Sequence, residues 1–233
     1  MLTPEEINFK LNQLIEQARP VYPNLARRLD EMSRWIRQKQ PGHLRSKPHV
    51  MQLLDELVAD STFWLRVQSL SLKARDAELA QLSPVERYWY EHLFPAWFNE
   101  KDPKLDKWKK KLMAGKFSRS DETLIDNICK RLETSNGDTL NPYIADLSMC
   151  TDLIVSGTKK SVLCVQLTTV QDCLSGDKHL EWKETLEYWE IERGLFVSFN
   201  PRLHHVHLKL AKTLLLASSQ LPEQCYHKLN IDC

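Results

Sequence analysis

The chain has 233 residues, 42% of them apolar and 27% charged, which is enough for one large domain or two small ones with a buried core. This composition excludes an intrinsically disordered chain, and no apolar run approaches the roughly 18 residues of a membrane-spanning helix. The net charge of +1 conceals an asymmetry, because residues 1–119 carry 21 basic and 15 acidic side chains whereas residues 120–233 carry 11 and 16. This division favours a polyanion-binding region followed by a carboxylate-bearing one.

The first ten residues lack the basic and then apolar layout of a signal peptide, and we therefore expect a cytoplasmic protein. All six cysteines lie in the second half and none belongs to a Cys-x-x-Cys pair, which indicates reduced thiols. A zinc site made of Cys150, Cys164 and Cys173 is the alternative, but its spacing matches no structural zinc pattern.

Helical spacing of apolar residues dominates the first half of the chain. Apolar side chains recur every three or four positions in residues 25–36, for example, and prolines separate such stretches. Further on, Ser83, Pro84 and Glu86 supply an N-cap, a first-turn proline and the acid of a capping box, which predict a helix start. We expect residues 1–117 to form a helical, net-basic region.

Residues 101–119 form a strongly basic stretch, with eight basic and two acidic side chains. A run of this kind can follow a phosphate backbone while Trp108 or Phe117 stacks on a base. A solvated helix face would have the same composition, and the sequence leaves this alternative open. The residues that we expect to bind nucleic acid are Lys107, Lys109, Lys110, Lys111, Lys116 and Arg119.

After residue 117 the pattern changes to mixed helix and strand. Residues 120–133 predict a helix capped by Ser120, and three stretches are then typical of strands, or of a strand and its approach: "NPYIADLSMC", "TDLIVSG" and "SVLCVQLTT". Asp177 and Gly194 mark the start and the stop of the next helix, and the strand "LFVSFN" and a last helix follow. The predicted fold is therefore α/β (α+β), with a helical N-terminal region followed by an α-β-β-β-α-β core in residues 118–233.

An acid at the start of the second strand and a polar pair on the third resemble the PD-(D/E)XK nuclease superfamily, which has the restriction-endonuclease-like fold. In that family an Asp at the second strand and an (Asp/Glu)-x-Lys on the third hold one or two Mg²⁺ ions and activate a water molecule. Asp152 in "TDLIV" matches the metal-binding Asp, while Gln166 and Thr168 in "VQLTT" stand where the family has Glu and Lys. The resemblance covers about residues 120–200.

The resemblance also implies where the remaining groups lie. The nuclease subunit of heteromeric cut-and-paste transposases has Gln in place of this Glu, and in several lineages the lysine has moved to the following helix. Lys178, in the first turn of that helix, is our first candidate for the displaced lysine, and Lys183 is the second. Glu122, near the start of the first core helix, is the candidate for an additional carboxylate, although acids are also favoured at helix N-termini for other reasons.

The resemblance thus implies a Mg²⁺ or Mn²⁺ ion held by Asp152, Glu122 and Gln166. Lys178 would orient water or stabilise the developing charge, and Thr168 stands at the position of the family's lysine. The expected function is a metal-dependent endonuclease, or a nuclease-like subunit, of a mobile-element, restriction or phage-defence system. DNA is the expected partner, followed by RNA, and a protein partner or a homodimer is also consistent with the family; no membrane is involved. Two alternatives stay open: a catalytically inactive nuclease-fold subunit for DNA binding or assembly, and a helical protein-interaction adaptor.

Overall fold

The computed structural model of the chain describes residues 2–37, 44–117, 122–169 and 176–231. Within these ranges all regular structure before residue 118 is helical, and a five-stranded mixed sheet with its helices follows. The predicted α/β (α+β) class with a helical N-terminal region is therefore confirmed. The helices of the first part are α1 (Pro4–Ala18), α2 (Pro23–Arg37), α3 (Pro48–Gln68), α4 (Leu72–Leu79), α5 (Pro84–Tyr88), a π-helical turn (Trp89–Leu93), α6 (Phe94–Asn99) and α7 (Leu105–Met113).

The second part alternates helices and strands. Its elements are α8 (Glu122–Glu133), β1 (Asp138–Leu140), α9 (Tyr143–Met149), β2 (Leu153–Ser156), β3 (Val162–Thr169), α10 (Gly176–Tyr188), β4 (Arg193–Phe199), α11 (Val206–Gln220) and β5 (Cys225–Ile231). The strands lie side by side in sequence order; β1, β2 and β3 are antiparallel neighbours, and β3, β4 and β5 are parallel. The series α8, β1, β2, β3, α10, β4 follows the predicted α-β-β-β-α-β order, with α9 inserted after β1.

The chain divides into two compact units. The helical unit is Met1–Gln81 with Phe94–Ser118, and the α/β unit is Leu82–Leu93 with Arg119–Cys233. The predicted division after residue 117 differs from this one by the segment 82–93. Val85 and Trp89 in this segment are buried, and α5 contacts β1, β2 and β3. The segment belongs with the sheet because its apolar side chains pack on the sheet. The prediction divided the chain where its composition changes, and composition does not show which earlier segment packs on the sheet.

Helix α5 begins where the sequence predicts. The Ser83 hydroxyl accepts a hydrogen bond from the Glu86 N–H at 3.4 Å, and the Glu86 carboxylate accepts one from the Ser83 N–H at 3.0 Å, so the capping box is confirmed. The Val85 N–H, which has no partner within the helix, donates to Asp138 Oδ2 on β1 at 3.4 Å. Local sequence therefore sets the start of α5, and a strand of the sheet completes its cap.

A buried carboxylate organises the end of the helical unit. Asp102 is 5% exposed and accepts hydrogen bonds from the indole N–H groups of Trp97 at 3.3 Å and Trp108 at 3.1 Å. The prediction that Trp108 can stack on a base is wrong, because the ring is only 3% exposed and lies on the buried side of α7 with Leu105 and Leu112. Helical spacing places these three side chains in one stripe, and that stripe faces the core.

Most of the segment 141–150 forms helix α9 (Tyr143–Met149) rather than the predicted strand, so the prediction of a strand here is wrong. Six of the seven residues of α9 are buried, and a short run that is buried on nearly all sides has the same apolar pattern in a helix as in a strand. The first strand of the series is instead β1, directly after α8. The edge strand β5 has no counterpart in the predicted series, because its sequence "CYHKLNI" is largely polar and three of its seven side chains are exposed.

Gly194 lies inside β4 and does not end α10, so its predicted role as a helix stop is wrong. The turn after α10 is made by Glu190, which adopts a left-handed conformation with φ of 52°. A Cβ atom at Gly194 would lie 2.3 Å from Leu186 Cδ1 and 2.9 Å from the Trp182 ring. Glycine is therefore needed here because α10 packs directly on the backbone of β4.

Four cysteines of the described ranges, Cys129, Cys150, Cys164 and Cys225, are free thiols. Burial raises the pKa of Cys164, in the middle of β3, to about 12, so this thiol stays protonated at neutral pH. Within the described ranges, no helix combines the length and the apolar character that a membrane crossing requires.

The guanidinium of Arg193 joins three elements of the α/β unit. Arg193 is 7% exposed and donates from Nη1 to Val162 O at 3.0 Å, and from Nη2 to Ser218 O at 2.8 Å and Leu221 O at 2.6 Å. The last two carbonyl groups belong to the C-terminal end of α11, where carbonyls lack helical partners and a positive charge is favourable. This one side chain therefore connects β3, β4 and α11.

Arg193→Met should lower the free energy of unfolding by about 3 kcal/mol, because three carbonyl groups lose a charged donor. Arg202→Met is the matched control, since Arg202 is exposed, and should change the free energy by less than about 0.5 kcal/mol. Urea unfolding followed by circular dichroism measures both variants. Equal losses in the two would contradict the anchoring role of Arg193.

Candidate functional site

Side chains of β3 alternate between two environments. Leu163, Val165 and Leu167 face a core that includes residues of α8 and α11, whereas Gln166 and Thr168 point to the opposite face of the sheet. Helix α10 packs on this second face. The two predicted site residues of "VQLTT" are therefore neighbours on one face, beneath the helix that carries the predicted lysine.

Asp152 and Gln166 lie opposite each other on neighbouring strands. The Asp152 N–H donates to Val165 O at 2.8 Å, which extends the ladder of β2 and β3 by one residue. Asp152 Oδ2 accepts hydrogen bonds from Gln166 Nε2 at 2.5 Å and from the Leu167 N–H at 2.6 Å. Gln166 Nε2 also donates to Leu167 O at 3.2 Å. The carboxylate is thus held by one amide side chain and one backbone N–H, and the structure brings these two predicted residues together.

Thr168 and Lys178 form the second pair of the site. Thr168 is only 4% exposed, and its Oγ1 accepts a hydrogen bond from Lys178 Nζ at 3.1 Å. Lys178 lies in the first turn of α10, so its ammonium group reaches the strand position at which the resembled family has lysine. Lys183, the second candidate, instead pairs with Glu187 at 3.6 Å, and both of these side chains are about half exposed.

Two further polar residues lie beside Thr168 on the neighbouring strands. Together with Asp152, Gln166 and Thr168 they form a row of polar side chains across the sheet. Thr168 is in register with Ser198 on β4, and Ser198 is in register with Asn230 on β5. Ser198 is 2% exposed and donates from Oγ to Asn230 Oδ1 at 3.0 Å. Neither residue was predicted. Ser198 was detectable as the one polar side chain in the apolar run of "LFVSF", whereas Asn230 was not, because β5 itself was not predicted.

Glu122 is separated from this row by the sheet. It is exposed in the first turn of α8, and Ile125 and Ile128 of that helix pack against the face of β3 that carries Val165 and Leu167. Because the side chains of a strand alternate, this is the face opposite to that of Gln166. Among the described residues, no hydrogen bond joins Glu122 to Asp152 or to Gln166.

The described arrangement does not fit a divalent cation. Mg²⁺ and Mn²⁺ are bound by oxygen ligands, but the Gln166 amide faces Asp152 with its NH₂ group. The assignment follows from the partners, because a carboxylate and the Leu167 carbonyl can only accept hydrogen bonds. The amide nitrogen thus contacts both Asp152 Oδ2 and Leu167 O, and it offers these oxygens hydrogens where a cation site would need a ligand atom. In the part of the chain that the structure describes, no cluster of three His, Cys, Asp or Glu side chains is arranged to hold a metal.

The predicted nucleic-acid-binding lysines lie in or just after α7. Lys107, Lys110, Lys111 and Lys116 are exposed. Lys109 differs from them, because its side chain is 13% exposed and its ammonium group pairs with two carboxylates. Three predicted positions lie outside the described residues: Arg119, Ser120 and Cys173.

Comparison of the chain with protein-family models, with curated proteins and with solved structures gives no match. The class of protein is therefore defined by its fold and site alone: it is a mixed α/β protein with a row of polar side chains across its sheet. At the carboxyl ends of the parallel strands, this row presents an ammonium group, a hydroxyl group and an amide-bonded carboxylate.

Asp152→Ala should lower the free energy of unfolding by about 2 kcal/mol, because the Leu167 N–H and the Gln166 amide both lose their acceptor. Asp126→Ala removes an exposed carboxylate of α8 and is the control, with an expected change below about 0.5 kcal/mol. Urea unfolding measures the two changes. An Asp152→Ala variant as stable as the wild type would show that the carboxylate is not a structural acceptor.

His179 helps to hold α10 above the row. Its ring stacks on Trp182 at a centroid distance of 5.5 Å and meets Phe196 edge-on at 5.4 Å, and Phe196 is in register with Gln166. The buried His179 Nε2 has no hydrogen-bond partner among the described residues. Burial lowers the pKa of His179, and the nearby charges of Lys228 and Lys183 lower it further.

Because the folded state disfavours protonation of His179, the unfolded chain binds more protons below the ordinary histidine pKa of 6.5. The free energy of unfolding should therefore fall as the pH falls below that value, and the His179→Gln variant should show a shallower fall than the wild type. Urea unfolding at a series of pH values between neutral and mildly acidic measures the slopes. Identical slopes in the two proteins would contradict this assignment.

Proposed function

We propose that this chain is a nuclease-fold protein of the cytoplasm that binds nucleic acid, DNA in the first place, without holding the divalent cation that cleavage requires. The observation that carries the proposal is the hydrogen bonding of the Gln166 amide nitrogen to Asp152 Oδ2 and Leu167 O. A site of this kind suits a DNA-binding or assembly subunit that acts with a protein partner.

The order and pairing of the elements support the nuclease-fold part of the proposal. The strands β1, β2 and β3 are antiparallel and precede the parallel β4, and α8 and α10 stand at the positions of the two helices in the α-β-β-β-α-β series. Asp152 lies just before β2, and Gln166 and Thr168 lie on β3, as the resemblance requires. The proposal therefore keeps the positions of the family's site and gives them a different chemistry.

The groups that remain are suited to binding phosphate. The Lys178 ammonium group bonds to Thr168 Oγ1, and Lys178 is an exposed residue, so its charge can be shared with an anionic oxygen from outside. The two residues lie where β3 ends, and β4 and β5 run parallel to it. The carboxyl ends of parallel strands are common binding positions in α/β proteins.

A metal-dependent endonuclease is the second candidate, and one observation favours it. Lys178 places an ammonium group at the strand position of the family's lysine, on the face that also carries Asp152 and Gln166. The two candidates differ in whether purified protein cleaves nucleic acid in an Asp152-dependent way. The two experiments below separate the candidates by measuring cation binding and nucleic-acid cleavage.

Gln166→Glu should create a cation site that the wild type lacks, because a second carboxylate then faces Asp152 and needs a positive charge between the two. Without divalent cations the variant should melt at a lower temperature than the wild type, and millimolar Mn²⁺ should raise its Tm by about 3 °C while leaving the wild type unchanged. Differential scanning calorimetry measures this response. The Asp152→Ala/Gln166→Glu variant is the control and should lose it.

Incubation of the wild type with plasmid DNA, linear DNA and RNA in Mg²⁺ or Mn²⁺ completes the test. We expect the wild type and the Asp152→Ala variant to give the same products, because the wild type should show no cleavage that depends on Asp152. If wild-type protein cleaves and Asp152→Ala does not, the proposal is wrong and the endonuclease candidate is right.

A further inference from the structure

A groove lined mainly by charged residues lies between α2 and α7 in the helical unit. Its volume is about 630 Å³, in the range of about 300–1,000 Å³ that is typical of ligand sites. The spacing of the lining residues is helical on both sides, so each helix contributes one continuous stripe. The basic residues that line the groove are Arg27 and Arg34 from α2, and Lys109 and Lys110 from α7.

Both carboxylates that line the groove are paired with Lys109. The Lys109 ammonium group lies 3.2 Å from Glu31 and 3.3 Å from Asp106, and its side chain is largely buried. Glu31 also pairs at 3.0 Å with Arg28, which is buried. The Lys109–Glu31 contact joins α2 to α7. Because Glu31 and Asp106 pair with Lys109, the other cations of the groove stay available to an anionic ligand.

The exposed cations of the groove carry its excess charge. Arg34 pairs with Asp30 at 2.9 Å, with 64% and 42% of the two side chains exposed, so solvent weakens this pair. Within the described part of the chain, Arg27 and Lys110 have no carboxylate partner, and both side chains are exposed. The groove therefore offers two uncompensated positive charges, one on each wall.

Trp35 supplies an aromatic surface in the same groove. Its half-buried ring meets Trp108 edge-on at a centroid distance of 5.9 Å, and the Trp108 indole is itself fixed by Asp102. Trp35 is therefore held in place before any ligand binds. A fixed aromatic side chain next to unpaired cations is the combination by which proteins bind unstacked bases together with their phosphates.

We propose that the α2/α7 groove binds a short single-stranded segment of nucleic acid, with Arg27 and Lys110 on phosphate oxygens and one base against Trp35. A single strand is required because the base faces of a duplex are stacked and cannot reach a side chain in a groove. The inference rests on the proposed function for its class of ligand, but it concerns the helical unit. It selects Lys110 from the predicted lysines and excludes Lys107 and Lys111, which do not line the groove.

The first experiment compares two double variants with the same loss of charge. Binding of a fluorescein-labelled oligothymidylate of about twelve nucleotides is measured by fluorescence anisotropy at several salt concentrations. Arg27→Ala/Lys110→Ala should raise the Kd about tenfold and lower the slope of log K against log salt by about 1.4, since each phosphate contact on a single strand contributes about 0.7. Lys107→Ala/Lys111→Ala, on the same helix but outside the groove, should change the Kd less than about twofold.

The second experiment isolates the stacking contact. Trp35→Leu should weaken binding of the oligothymidylate about tenfold, while binding of an abasic oligonucleotide of the same length should stay at the wild-type level. Circular dichroism and thermal unfolding establish that the variants are folded, and Trp35→Phe, which keeps a ring, should recover most of the affinity. Equal effects on the two oligonucleotides would overturn the stacking role.

Several outcomes would overturn the inference. One is equal weakening by the two double variants, which would indicate diffuse attraction by the whole helix. Another is equal binding of duplex and single strand, or competition by an acidic peptide at the concentration at which the oligonucleotide competes. If the wild type binds the oligonucleotide and the groove variants bind equally well, only this inference fails. If the wild type binds no nucleic acid at low salt, the proposed function fails as well.

Discussion

The alternation of side chains along β3 is the constraint on which the α/β unit depends. This strand is the middle one of five, with β2 antiparallel on one side and β4 parallel on the other, so both of its edges are paired. Helices α8 and α11 cover one of its faces, and α10 covers the other. Leu163, Val165 and Leu167 must face the apolar core, and Gln166 and Thr168 are thereby directed to the other face. A shift of one residue would bury the amide and the hydroxyl among aliphatic side chains, at a cost of about 1–3 kcal/mol for each unpaired group.

Four charged side chains of the two units are bound mainly to backbone atoms and to neutral side chains. Arg193 donates to three carbonyl groups, and Arg28 donates to the carbonyls of Trp97 and Glu100 as well as to Glu31. Asp102 accepts from two indoles, and Asp152 accepts from an amide and a backbone N–H. Partners of this kind have fixed directions. They therefore determine where chain segments lie, and they allow Asp152 to be satisfied without a cation.

The fold was predictable where local signals and tertiary packing agree. The capping box at Ser83 and the β-branched run of β3 each determine their element within a few residues, and both elements are present. The prediction was wrong at α9, because a segment of only seven residues that is buried on nearly all sides has no period that distinguishes a helix from a strand. It missed β5, whose conformation depends on pairing with β4 and not on its own composition.

For the candidate site, the sequence by itself determined the chemical groups and their spacing: an acid before one strand, an amide and a hydroxyl two positions apart on the next, and a lysine in the following helix. These relations lie within about 30 residues of the chain, so strand alternation and hairpin pairing were enough to predict them. Only the tertiary structure decided that the Gln166 amide bonds to Asp152, that Lys178 reaches Thr168, and that Glu122 lies on the other side of the sheet. Distances between separate elements, and the directions of hydrogen bonds between them, arise from packing of the whole chain and are not encoded at any single position.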